Sequence, residues 1–136
     1  MAVMPDLDYW HCFHDGTIVT AAGAVPGVLE FTIDCDWLRE ELHPSPRQFL
    51  LRINNCTLFE IEHYGHDHAV NGFEALINGD FDVLDAEFRD GVVHVANAVS
   101  VMRLAYETEL LMLDGVVISL RDLVDAADRA VATHFG

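Results

Sequence analysis

Residues 47–64 (RQFLLRINNCTLFEIEHY) constrain the fold more than any other stretch, because apolar side chains recur there with a period of two on both sides of an Asn-Asn pair. Phe49, Leu51 and Ile53 alternate with Leu50 and Arg52, while Thr57, Phe59 and Ile61 alternate with Glu60 and Glu62. Successive side chains of an extended strand point to opposite faces, so each arm has one face for a core and one for solvent. Asn tolerates the positive φ that two-residue turns require. Asn54-Asn55 therefore predicts an antiparallel hairpin.

The same pattern recurs along the chain. Thr17 to Ala24 and Val28 to Cys35 flank Val25-Pro26-Gly27 and predict another hairpin, with Leu29, Phe31, Ile33 and Cys35 on one face. Phe81 to Arg89 and Val92 to Val99 flank Asp90-Gly91. Val101 to Glu107, Glu109 to Leu113 and Val116 to Ile118 follow, the last two joined by Asp114-Gly115. Short strands punctuated in this way predict antiparallel sheet rather than βαβ crossovers. Asn97, on the face of Val93 and Val95, is expected to be buried and hydrogen-bonded.

Asp36 to His43 reads as a short helix capped by Asp36 and stopped by Pro44 and Pro46, and Phe73 to Ile77 as one helical turn. Ser119, with Asp122 three residues on, opens the clearest helix. Leu120, Leu123, Val124, Ala127, Ala130 and Val131 form its apolar stripe. The expectation is one α+β domain over residues 1–136. It has an antiparallel sheet of about seven or eight strands, a short middle helix and a C-terminal amphipathic helix packed on one face.

Charge narrows the range of partners. Twenty-three carboxylates face seven basic residues, all arginine, for a net charge of −16. Such a surface repels phosphate backbones and anionic lipid, so neither nucleic acid nor membrane is expected as a partner. A basic protein partner fits it, with Glu30, Glu60 and Glu62 on the solvent-facing sides of strands as contact residues. Acidity that serves solubility, or adaptation to high salt, would give the same composition. A second copy of the chain, meeting it at an uncovered sheet edge, is the further partner considered. The N-terminal residues lack a basic region followed by an apolar run, which points to the cytoplasm. Absence of lysine excludes Schiff-base chemistry and a lysine that grips phosphate.

Two clusters carry ligand or nucleophile chemistry. His63, His66, Asp67 and His68 are the side-chain types that hold zinc or another divalent cation, and a metal-bound water there would give a metal-dependent hydrolase. Their spacing matches no established zinc motif. If residues 9–16 were a strand, Cys12 and His14 would share a side, as a thiol–imidazole couple needs. No third group to orient them is identifiable. Cys12, Cys35 and Cys56 form no Cys-x-x-Cys pair and read as reduced, buried thiols.

Tyr9 to Ile18 (YWHCFHDGTI), with Leu58-Phe59-Glu60 and residues 102–106 (MRLAY), resembles small uncharacterised bacterial domains with a His-Asp-Gly-x-Ile opening. Size, acidity and the α+β pattern are similar to those of immunity proteins that neutralise basic secreted toxins. With the charge of −16, the exposed Glu30, Glu60 and Glu62 and no catalytic constellation, the expectation is a non-catalytic cytoplasmic protein-binding module without a cofactor, of the immunity type that the resemblance implies. The resemblance carries over no functional residue.

Overall fold

The alternating segments do become strands, but they are distributed over two sheets. The computed structural model describes residues 5–43, 47–64 and 81–134. Among these, β1 (Thr17–Gly23), β2 (Gly27–Asp34), β3 (Phe49–Cys56), β5 (Phe81–Asp82), β9 (Thr108–Leu113) and β10 (Val116–Ile118) form one sheet in the order β10-β9-β3-β2-β1-β5. The second sheet contains β4 (Leu58–His63), β6 (Asp85–Arg89), β7 (Val92–Ala96) and β8 (Ser100–Ala105), in the order β4-β8-β7-β6. Every strand pairing is antiparallel. The helices are α1 (Asp8–Cys12), α2 (Asp36–Arg39) and α3 (Leu120–His134). The α+β class and the C-terminal helix agree with expectation, whereas the described residues hold ten strands in two sheets.

The expected hairpin over residues 47–64 does not form. β3 pairs with β2 and β9, while β4 pairs with β8 in the other sheet. Asn55 does adopt positive φ, 55°, but at a bend where the chain leaves one sheet for the other. That bend is bonded to a second crossing, between β8 and β9. Thr57 N–H donates to Ala105 O at 2.8 Å, and Glu107 N–H to Asn54 O at 3.0 Å. The Asn55 side chain donates to the Glu107 carboxylate at 2.6 Å. The predicted strand Phe81 to Arg89 also divides, with β5 beside β1 and β6 beside β7. The hairpins at Pro26-Gly27, Asp90-Gly91 and Asp114-Gly115 form as expected.

The core lies between the inward faces of the sheets. Phe31 on β2 meets Phe59 on β4 with ring centroids 6.4 Å apart, which joins the sheets directly. Residues 8–12, treated above as a strand, are helical, and Trp10 and Phe13 project from that region onto Phe31 and Phe49. α3 starts as predicted, with Asp122 N–H donating to Ser119 Oγ at 3.1 Å. It buries Leu123, Ala126 and Ala130 beside α1 and α2. α2 is shorter than expected, and Asp36 is its first helical residue rather than its cap. Asn97 is only half-buried; its Oδ1 accepts from Val99 N–H, Ser100 N–H and Ser100 Oγ, which ties the β7–β8 turn.

A polar chain runs from the core to the surface. Trp10 Nε1–H donates to Tyr106 OH at 2.9 Å, and Tyr106 donates to Glu109 Oε1 at 2.8 Å, which also accepts Asp6 N–H at 2.8 Å. Burial raises the Glu109 carboxyl above its usual 4.5, although the bonds from Tyr106 and Asp6 oppose the rise. The native state therefore keeps a proton that the unfolded state has lost. Its stabilising contribution is full below the unfolded value and fades as pH climbs through the raised native one. Glu109→Gln keeps the acceptor oxygen and removes the charge. Urea midpoints measured across that pH range should fall less steeply for the variant than for the parent; parallel curves would assign the slope to other groups.

Candidate partner-binding surface

The three glutamates expected to meet a partner face outward, but each is already matched. In the β2–β3 register Glu30 stands opposite Arg52, whose Nη2 lies 2.9 Å from Glu30 Oε2. Glu60 stands opposite Arg103 across the β4–β8 ladder. Arg103 Nε donates to Glu60 at 2.6 Å and its Nη2 to Glu62 at 2.9 Å. Those two bonds hold the guanidinium more firmly protonated than usual, although partial burial opposes this. The same row continues to His94 and Glu87, and a concavity of about 280 Å³ opens there beside Arg89 and Asp85. Burial and the nearby Arg89 push the His94 imidazole below its usual pKa. These outward glutamates are thus tied into cross-strand ion pairs, Glu30 with Arg52 and Glu60 and Glu62 with the one Arg103.

Acidity collects at another place, which the pairing pattern creates. Antiparallel pairing puts the start of β1 beside the end of β2 and beside β5, so Thr17 stands between Asp34 and Asp82. Thr17 Oγ1 donates to Asp82 at 2.7 Å. Asp15 precedes β1, and Asp36 and Glu40 follow β2 at either end of α2. Asp15, Asp34, Asp36 and Glu40 line a concavity of about 500 Å³, together with Thr17, Cys35 and Trp37. Asp34 and Asp36 also border a second hollow, of about 460 Å³, with Arg47 and Gln48. Arg39 serves this rim from below: it is buried, with Nη2 3.4 Å from Asp36 and 3.9 Å from Glu40. Two of the four rim carboxylates, Asp36 and Glu40, thus share one buried arginine.

The His-Asp-Gly segment is the hinge that places Asp15. Asp15 N–H donates to Val83 O at 2.7 Å, and Gly16 O accepts Val83 N–H at 2.8 Å. A Cβ on Gly16 would stand 2.9 Å from Phe13 O, so only glycine fits there. His14 Nδ1 lies 2.8 Å from Leu84 O and His11 Nε2 lies 2.9 Å from Ala86 O. A carbonyl only accepts, so both imidazoles donate and act as clamps on the crossing between β5 and β6. Cys12 is buried while His14 is exposed, so the thiol–imidazole couple is not assembled.

The thiols carry little nucleophilic character. Burial, with the charges of Asp8, Asp128 and Asp6, pushes Cys12 up to about 11. Burial chiefly, with nearby Asp36, Asp15 and Asp34, pushes Cys35 up to about 12. Of the predicted metal cluster, His63 ends β4 opposite Ser100, and His66, Asp67 and His68 lie outside the described residues. No group of three His, Cys, Asp or Glu side chains arranged for a metal ion occurs among the described residues. The acidic rim holds carboxylates of kinds that accept ammonium and guanidinium groups. Asp34, Asp36 and Glu40 are close in sequence, but nothing local brings Asp15 to them, since that follows from the pairing of β1 with β2. Comparison with protein-family models, with curated proteins and with solved structures returns no match.

Proposed function

We propose that this chain is a non-catalytic, acidic protein-binding module whose α2 rim receives basic side chains of a protein partner, as an immunity-type protein receives a basic toxin. The observation that carries the reading is the charge imbalance at the rim: Asp15, Asp34, Asp36 and Glu40 line one concavity whose described lining holds no basic side chain, with Arg39 approaching Asp36 and Glu40 from below. Elsewhere Glu30 is paired with Arg52, and Glu60 and Glu62 share Arg103. Burial pushes the rim's Cys35 thiol up to about 12, which leaves little thiolate to act as a nucleophile. Long-range attraction by a net charge of −16 would speed association and weaken as salt is added.

An arginine-rich peptide serves as the probe. Asp15→Asn combined with Asp34→Asn removes two rim charges and leaves both partners of Arg39 in place. Asp125→Asn combined with Asp128→Asn removes the same charge from α3. Calorimetric titration should show roughly tenfold weaker binding for the rim variant, little change for the helix variant, and loss of affinity with added KCl. Equal losses in the two variants would mean that only overall charge matters, and would sink the proposal.

A further inference from the structure

We infer that β10 is a docking edge for a second copy of this chain, pairing antiparallel with its own counterpart about a two-fold axis near Val117. Among the described residues the two sheets end in four edge strands: β10, β5, β4 and β6. Unpaired edges invite association, and proteins block them with charge, proline, bulges or brevity. β5 has only two residues, one of them Asp82. β4 carries Glu60 and Glu62, and β6 carries Asp85, Glu87 and Arg89. β10 is Val116-Val117-Ile118, with a regular register to β9 and no charge. Val116 is 62% exposed and Val117 58% exposed, although they point to opposite sides of the sheet, while Ile118 is half-buried against the core.

The ladder shows which backbone groups are free. Asp114 and Gly115 have φ of 52° and 77°, the pattern of a two-residue I′ turn closing the Leu113–Val116 pair. Hydrogen-bonded and non-bonded pairs alternate in an antiparallel ladder. Val117, opposite Met112, therefore points its N–H and C=O away from β9, toward the open edge. Self-pairing at Val117 would satisfy both groups reciprocally and set Val116 against Ile118, pairs of β-branched residues that suit adjacent strands. The nearest carboxylate, Asp114, is already approached by Arg47 at 3.3 Å and His43 at 3.5 Å.

An uncharged edge offers a basic chain nothing to be steered by, whereas it lets a like-charged copy approach at its least repulsive point. Two copies of net charge −16 still repel, so this association should strengthen with salt, opposite to the binding proposed for the rim. Three residues per copy make a small interface, and the dimer should form only toward millimolar protein.

Sedimentation velocity from micromolar to millimolar protein, in dilute buffer and in molar KCl, reads the association. Hydrogen exchange at the Val117 amide reads its location. The expected result is a concentration-dependent dimer favoured by KCl, with the Val117 amide protected only where the dimer forms. Val117→Pro removes a donor the intramolecular ladder does not use, and Val117→Lys places like charges face to face. Both variants should keep the parental melting temperature and remain monomeric. A monomer under every condition, a dimer that persists in Val117→Lys, or a dimer whose Val117 amide exchanges freely would each overturn the proposal.

Discussion

Replacing Trp10 by alanine is expected to lower the unfolding free energy by about 3–5 kcal/mol, as truncation of a large buried aromatic does. A domain of this size has about 5–15 kcal/mol in total, so the variant should be close to unfolding. Trp10 is 0% exposed and joins three parts of the molecule. It projects from α1, its ring meets Phe31 of β2 edge-on at 5.8 Å, and its N–H reaches Tyr106 at the β8–β9 crossing. Tyr106→Phe tests the polar half of this junction. It leaves the ring in place but strips the indole N–H of its acceptor, at an expected cost of about 1–3 kcal/mol. Val131→Ala, on the exposed side of α3, should stay within about 0.5 kcal/mol of the parent. Urea unfolding of the three variants gives the order directly. If Trp10→Ala proved no worse than Val131→Ala, the core described here would be misplaced.

That junction also shows where sequence reading succeeds and where it stops. Alternation assigned faces well: Phe49, Leu51, Ile53, Phe59 and Ile61 are all buried. It could not assign partners, because a period of two states which way a side chain points and nothing about which strand lies alongside. A subtler signal was present. At two of the crossings between sheets, from β5 to β6 and from β8 to β9, the phase of the alternation slips, whereas from β3 to β4 the strands keep to odd positions. Phe81 and Val83 are buried at odd positions, and Ala86 then takes over at an even one with no Gly or Pro between. Ser100, Met102, Leu104 and Tyr106 are buried at even positions, and Leu111 and Leu113 at odd ones. A phase slip without a turn residue is what a strand does when it leaves one layer for another, since each layer needs its own inward face. The start of α1 was legible in a similar way, as Leu7, Trp10 and Phe13 recur at a spacing of three.

The candidate surface was less legible for a related reason. Glu30, Glu60 and Glu62 do lie on outward faces, but their pairing depends on register, which puts Arg52 opposite Glu30 and Arg103 opposite Glu60 and diagonal to Glu62. The rim reverses the case. Asp15, Asp34 and Asp82 are far apart in sequence and become neighbours only because β1 is flanked by β2 and β5. In a chain with 23 carboxylates no local pattern marks these three. Charge patterns across a sheet are tertiary facts, so composition can suggest a basic partner without indicating the place it would touch.

Alkylation of the native protein is expected to be slower than that of the unfolded chain by about a thousandfold at Cys35, because only the thiolate reacts and its population falls tenfold per unit of pKa. The thiol is pushed from 9.0 up to about 12, chiefly by burial. Cys12, pushed to about 11, should be slowed about a hundredfold on the same grounds. The greater nucleophilicity of a more basic thiolate offsets part of each figure, and burial of both side chains, which shields them from the reagent, slows labelling further. Iodoacetamide labelling at mildly alkaline pH, followed by mass spectrometry of each cysteine, separates native from guanidinium-unfolded rates. Rapid labelling of Cys35 in a chain that keeps its native circular dichroism would mean that the α2 rim opens readily to solvent. The carboxylates would then not be held in one arrangement, and a partner would have to order them on binding. Slow labelling that is released only by global unfolding would mean that the rim is as rigid as the core beneath it. Asp15, Asp34, Asp36 and Glu40 could then meet a basic surface without loss of conformational freedom, which is the condition under which charge placement rather than charge total decides affinity.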